Sequence, residues 1–153
     1  MEGPINKAEY EEMAAFRYAL RKFLRFSEEA AHAVGLPPQQ HQALLAIQGF
    51  PGRDYVTIGE LAERLQIRQN AAVGLVNRLV EDELAERHHA DIDRRQVHVM
   101  LTAHGRELLV KLSAIHREEL LRIGPELYYQ LQRLIELHAD RTPTASGSKV
   151  VSR

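Results

Sequence analysis

Residues 57–105 read TIGELAERLQIRQNAAVGLVNRLVEDELAERHHADIDRRQVHVMLTAHG. Thr57 followed three positions later by Glu60 is a T-x-x-E capping box. The hydroxyl can accept from a backbone N–H freed at a helix start, while the carboxylate reaches back to the cap. Ile58, Leu61, Ala62 and Leu65 give the following helix one apolar face, and Gln66-Ile67-Arg68 makes a short break. The spacing then predicts a second helix over 69–82, with Ala72, Leu75, Val76, Leu79 and Val80 as its buried stripe. Two short helices joined by a tight turn form a helix-turn-helix. The face left outward carries Gln69, Asn70, Val73, Gly74, Asn77 and Arg78.

Downstream, Leu84 to His89 and Gln96 to Leu101 flank the polar tip Ala90-Asp91-Ile92-Asp93-Arg94-Arg95. Val97, Val99 and Leu101 alternate, so these flanks are read as a two-stranded hairpin, a wing. Together these parts point to duplex DNA, because the second helix of a helix-turn-helix enters the major groove, where base edges carry distinguishable donors and acceptors. Gln69 and Asn70 suit adenine edges, Arg68 suits guanine or phosphate, and Val73 suits a thymine methyl. Arg94 and Arg95 suit a narrow minor groove, with Asp93 or Asp91 orienting a guanidinium. Gly74, mid-helix, costs about 1 kcal/mol relative to Ala. It reads either as a point of close backbone approach to the duplex or as a tolerated weak position.

Outward from this segment, Met13, Phe16, Leu20, Phe23, Ala30 and Val34 recur at helical spacing, predicting one long helix over 8–34 that Gly35 ends. Arg17, Arg21 and Arg25, with Lys22, form a basic stripe on another side. Pro37 and Pro38 open a short helix over 39–48, which Gly49-Phe50-Pro51-Gly52 stops. Thr102 caps a helix through Leu108, Leu109, Leu112, Ile115 and Ile123, and Gly124-Pro125 is expected to break it. A final helix then sets Leu127, Leu131, Leu134 and His138 in an a/d-like seam suited to a dimer interface. The Ser/Thr/Pro/Gly-rich end reads as a flexible tail.

Residues 57–105 resemble the winged helix-turn-helix of the MarR family of bacterial regulators. The most specific piece is Asp93-Arg94-Arg95 followed by the L-T-x-x-G of Leu101, Thr102 and Gly105. The long first helix, the G-L-P-P-Q-Q that leads into the second helix, and the C-terminal helices extend the resemblance over about 9–138. It implies a mostly α winged helix-turn-helix with a two-stranded β wing, organised as one domain over 1–153. Within that domain, 8–36 and 103–139 would be dimerisation helices, 37–102 the DNA-binding region and 140–153 a flexible tail. It further implies a homodimer on a pseudo-palindromic operator, a repressor released by a small phenolic or aromatic acid. Position by position, Arg68, Gln69, Asn70, Val73 and Asn77 match the major-groove face and Arg94 the minor-groove arginine, with Arg95 and Asp93 supporting the wing. An effector site would draw on Phe16, Arg17, Tyr18, Arg21 and His41, with an arginine holding a carboxylate. Two positions depart from the pattern. Glu83 stands where the family commonly has Gly, so either that helix end is not left-handed or Glu83 accepts strain of about 1 kcal/mol. Val73 and Gly74 stand where Thr or Arg is frequent.

Composition limits the alternatives. In 153 residues, 44% are hydrophobic, 27% charged and 6% aromatic, which suits a helix-rich globular domain. No apolar run reaches membrane-spanning length and the start lacks the pattern of a signal peptide, so a cytoplasmic location is expected. There is no cysteine, hence no disulfide and no thiolate metal site. The eight histidines are scattered, and solvated or helix-surface roles account for them; no metal and no cofactor are expected. G-x-S-x-G, a glycine-rich phosphate loop and H-E-x-x-H are all missing, so no enzyme is expected. Net charge is −1. Between 57 and 106 seven basic residues (64, 68, 78, 87, 94, 95, 106) face eight acids (60, 63, 81, 82, 83, 86, 91, 93). That balance keeps open an alternative, a winged-helix module that binds a protein instead of DNA.

Overall fold

The computed structural model describes residues 4–93 and 95–139. Arg94 and the tail expected at 140–153 lie outside the described residues. The elements are α1 (Lys7–Ala33), α2 (Pro38–Gln48), β1 (Tyr55–Val56), α3 (Ile58–Leu65), α4 (Gln69–Glu81), β2 (Ala85–His89), β3 (Val97–Leu101) and α5 (Ala103–Ala139). The described residues fall into two compact units, one within 24–119 and the other pairing 4–23 with 120–139.

In the larger unit, three helix ends close in one way. After α1, Leu36 N–H returns to the Ala31 carbonyl at 3.0 Å and Gly35 to His32 at 2.9 Å. After α3, Ile67 returns to Ala62 at 3.0 Å and Gln66 to Glu63 at 3.1 Å; after α4, Leu84 returns to Leu79 at 2.8 Å and Glu83 to Val80 at 3.1 Å. This paired return satisfies carbonyls the helix leaves open, and it needs a left-handed residue at the turn. Gly35 supplies it at φ 74°, whereas Gln66 (53°) and Glu83 (57°) do so with a Cβ. The Glu83 helix end is therefore left-handed, and the residue carries the strain.

The capping box forms as expected: Glu60 N–H donates to Thr57 Oγ1 at 3.2 Å, and Thr57 N–H to Glu60 Oε2 at 2.8 Å. The amphipathic faces converge on one core. Leu44 and Ile47 of α2, Leu61 of α3, Leu75, Val76 and Leu79 of α4, Val99 and Leu101 of β3 and Leu112 of α5 are all buried there. Val80, expected in the stripe, is only partly buried against it.

The wing hairpin pairs Ala85 with Leu101 and His89 with Val97, antiparallel. A third strand joins it: β1 pairs Tyr55 with Met100 and Val56 with Val99, giving the order β1-β3-β2. β1 has only two residues, too few for an alternating pattern to be read.

The smaller unit holds the start of α1 and the end of α5. Ala19 is buried there, and Arg133 Nε pairs with Glu12 Oε1 at 3.5 Å. Two features of the long helices go beyond or against the sequence reading. Met13, Leu20 and Val34 of the α1 stripe are more than a third exposed, while Ala19, Ser27 and Ala31 are the buried positions. Small side chains, not the large apolar ones, take α1's close contacts within the chain. Second, α5 runs through Pro125 without a break. Proline removes one helical hydrogen bond and disfavours the α conformation of the residue before it by clashing with that residue's Cβ. That residue is Gly124, which has no Cβ, so the helix continues.

Candidate DNA interface

A face can read DNA only if its helix is anchored on the other side. Ala72, Leu75, Val76 and Leu79 are buried, which fixes the rotation of α4 and turns Gln69, Asn70, Val73 and Asn77 outward, all exposed. No acid stands in the first turn of α4, and the capping residue Arg68 makes no side-chain cap, so the positive helix end is uncompensated. Asn70 Oδ1 accepts from Ala71 N–H at 2.9 Å. Gly74 is half-buried, and a Cβ there would meet only the Arg78 guanidinium at 3.6 Å. Within the chain, then, nothing requires glycine at 74.

Asn77 is tied to the wing. The Arg87 guanidinium on β2 donates to its Oδ1. Sequence reading missed Arg87, because a contact between a helix and a strand ten residues away leaves no periodic trace. At the wing tip, Asp93 Oδ1 accepts from Arg95 N–H at 3.0 Å and lies 3.7 Å from Arg95 Nε. The Gln96 N–H returns to the Asp93 carbonyl at 2.9 Å, and Ala90 N–H to Gln96 at 3.0 Å. Asp93 thus organises the tip and leaves the Arg95 side chain almost fully exposed.

The loop in front of α3 is braced by charge and aromatic stacking. Arg53 pairs with Glu60 and lies over the rings of Phe50, 4.3 Å, and Tyr55, 4.7 Å from their centroids. Tyr55 in turn stacks on His98 of β3 at 4.2 Å. Burial pushes the Glu60 carboxyl up, but the Thr57 N–H and Arg53 outweigh it and hold it below its ordinary value. One carboxylate therefore caps the helix-turn-helix and anchors the preceding loop.

At the other end of the wing, Thr102 N–H donates to the Leu84 carbonyl at 3.1 Å. The Thr102 Oγ1 accepts from Gly105 N–H at 3.0 Å. A Cβ on Gly105 would lie 2.1 Å from the Leu84 oxygen. The L-T-x-x-G pattern is thus a docking joint: threonine caps α5, and glycine lets the helix touch the turn that follows α4.

The residues suggested for an effector separate. Phe16, Arg17, Tyr18 and Arg21 belong to the smaller unit and His41 to the larger. Arg17, Tyr18 and Arg21 are exposed and Lys22 sits 4.6 Å over the Tyr18 ring. His41 is buried, with its ring centroid 4.8 Å from that of His116. The His116 Nδ1 lies 2.7 Å from the Leu112 carbonyl, which only accepts, so Nδ1 holds the proton. In the neutral ring Nε2 then accepts from the Ser27 hydroxyl at 2.8 Å. Burial first, and His116 second, lower the His41 pKa to about 4. His41 is therefore an interior residue and His116 a half-buried one packed against it, correcting the expectation of solvated or helix-surface roles for these two. Among the described residues no group of histidine, aspartate and glutamate could hold a metal ion, and no helix is long and apolar enough to cross a membrane.

The anchored α4, the wing and the capped turn between them define a winged helix-turn-helix. Residues 34–96 match the model of the MarR family. No protein of curated function matches the sequence. AbsC, a MarR family transcriptional regulator from Streptomyces coelicolor, is similar at 20% identity over 92% of this chain and 94% of its own, with a TM-score of 0.69. Wild-type MarR from E. coli in its apo form is similar at 21% identity over 92% and 100%, TM-score 0.62. A single-residue mutant of S. aureus MepR bound to an oligodeoxyribonucleotide is similar at 18% identity over 82% and 93%, TM-score 0.60.

Proposed function

We propose that the protein is a sequence-specific, duplex-DNA-binding transcriptional regulator. The observation that carries this reading is the outward face of α4: Gln69, Asn70, Val73 and Asn77 stand exposed because the opposite face is locked in the core. Amides and one apolar side chain on a major-groove-sized helix match the chemistry of base edges. Arg68 and Arg95 supply cations at the two ends of the surface, the resemblance assigns Arg94 to the minor groove, and the acids at 81–83 lie at the far end of α4. MepR, similar in fold, is described with a bound oligodeoxyribonucleotide, which supports the same partner here.

The regulator works as a homodimer in the cytoplasm, with 8–36 and 103–139 as dimerisation helices and 37–102 as the DNA-binding region of one domain over 1–153. Exposed Tyr10, Met13, Tyr128, Leu131 and Ile135 support pairing of the helical ends. A dimer presents each recognition helix twice, which calls for a pseudo-palindromic site. Repression, with release by a small phenolic or aromatic acid, follows from the resemblance alone. In that role Arg17 or Arg21 would hold the acid's carboxylate, and buried His41 would be reached only by opening its packing.

Selection of bound sequences from a random duplex library tests the reading. An inverted repeat with half-sites about one helical turn apart is expected, with affinity falling steeply as salt rises. No enrichment at low salt would favour a protein partner for the winged helix.

A further inference from the structure

Arg87 and Asn77 form a unit that neither residue forms alone. Guanidinium carries donors and no acceptor, so the Asn77 amide must present its oxygen to Arg87, and its Nδ2 group is left facing away. A free asparagine on a recognition helix pairs bidentately with adenine, oxygen accepting from N6 and nitrogen donating to N7. Here a base amine approaching Asn77 Oδ1 meets a cationic donor already in place. Oδ1 keeps a second lone pair, but a base amine brought to it would crowd the guanidinium, so the exposed edge of the pair favours acceptors over donors. In the major groove, the edge that presents acceptors side by side is guanine, through N7 and O6.

Resting on the DNA-binding reading above, we infer that Arg87 is a specificity-determining residue: by occupying Asn77 Oδ1 it turns Asn77 from an adenine reader into a reader of guanine acceptors. Arg87 positions the amide, and Asn77 touches the base. The residue sits on β2, outside the helix where specificity is ordinarily sought. It also lets the wing set the chemistry of the recognition helix.

The test is duplex selection with the wild-type protein and the variants Asn77→Asp, Arg87→Ala and Arg87→Lys, each checked for unchanged circular dichroism and dimer mass. Asn77→Asp keeps an oxygen for Arg87 but loses the amide donors. It should abolish the preference at one position in each half-site, identifying that position, with roughly tenfold loss on the selected duplex. That wild-type position should be guanine. Arg87→Ala frees the oxygen and should move the preference there towards adenine, whereas Arg87→Lys keeps a donor and should retain guanine.

An adenine at that position in the wild type, or a guanine preference that survives Arg87→Ala, overturns the inference while leaving DNA binding intact. So does uniform weakening of all sequences in Asn77→Asp and Arg87→Ala, the mark of a phosphate contact. If wild-type protein enriches no sequence at all, the DNA reading fails and the inference falls with it.

Discussion

The Thr102 hydroxyl donates to the carbonyl of Glu83 at 2.6 Å, fastening the start of α5 to the left-handed residue that ends α4. Because the same oxygen accepts from Gly105 N–H at 3.0 Å, one threonine links the recognition helix, the base of the wing and the long helix that follows. The orientation of α4 relative to β3 is set at this joint.

Replacing Glu83 by glycine should strengthen that joint. At φ 57° the glutamate carries a Cβ in the left-handed region, and glycine removes that strain. A gain of about 1 kcal/mol is expected, read as a higher urea midpoint with unchanged slope.

Gly105→Ala should do the reverse. Its Cβ would sit 2.1 Å from the backbone oxygen of Leu84, whereas Gly124, inside the same helix, has nothing within 4 Å. Gly105→Ala is expected to cost about 2 kcal/mol or more through forced backbone displacement. Gly124→Ala should be tolerated better: its Cβ meets no packed neighbour, and the helix propensity it gains offsets the clash it restores with the Pro125 ring. Chemical denaturation of the two variants compares them directly.

Stability should fall on mild acidification. The folded-state pKa of His41 is lowered to about 4 by burial and by His116, so below its unfolded value of about 6.5 the unfolded chain binds more protons. The full stability is present above pH ~6.5, and about 2–3 kcal/mol is lost as pH falls to ~4, after which this contribution levels off. Thermal or urea unfolding between pH 7 and 4 measures it, and His41→Leu should remove most of the slope.

Gly74→Ala separates the two meanings of that glycine. The nearest atom to its added Cβ is the end of a flexible arginine at 3.6 Å, so the fold should gain up to about 1 kcal/mol. If α4 approaches the duplex backbone closely there, DNA affinity should drop in the same variant. An anisotropy titration beside a denaturation curve reads both effects.

The parts legible in the sequence were those encoded locally. The capping box at Thr57 and Glu60, the start of α2 at Pro38, the turn at Gly35 and the alternation in β3 each depend on residues within a few positions. The apolar stripe of α4 likewise fixed in advance which of its residues would face outward. What escaped reading depends on distant partners. β1 exists because Val99 is there to pair with Val56, the interior role of His41 depends on a histidine 75 positions away (116 less 41), and Arg87 reaches Asn77 across a helix and a strand. Pro125 misled for a different reason: the local rule was right about proline, but Gly124 removes one of the clashes that make it end a helix.

The central claim, that the outward face of α4 and the wing dock on duplex DNA, is tested most directly by nuclear magnetic resonance mapping of the protein titrated with its selected duplex. The side-chain amide signals of Gln69, Asn70 and Asn77 and the backbone signals of Asp93 and Arg95 should shift together and saturate at one duplex per dimer. Shifts confined to other surfaces, with these amides unmoved at saturation, would contradict the account.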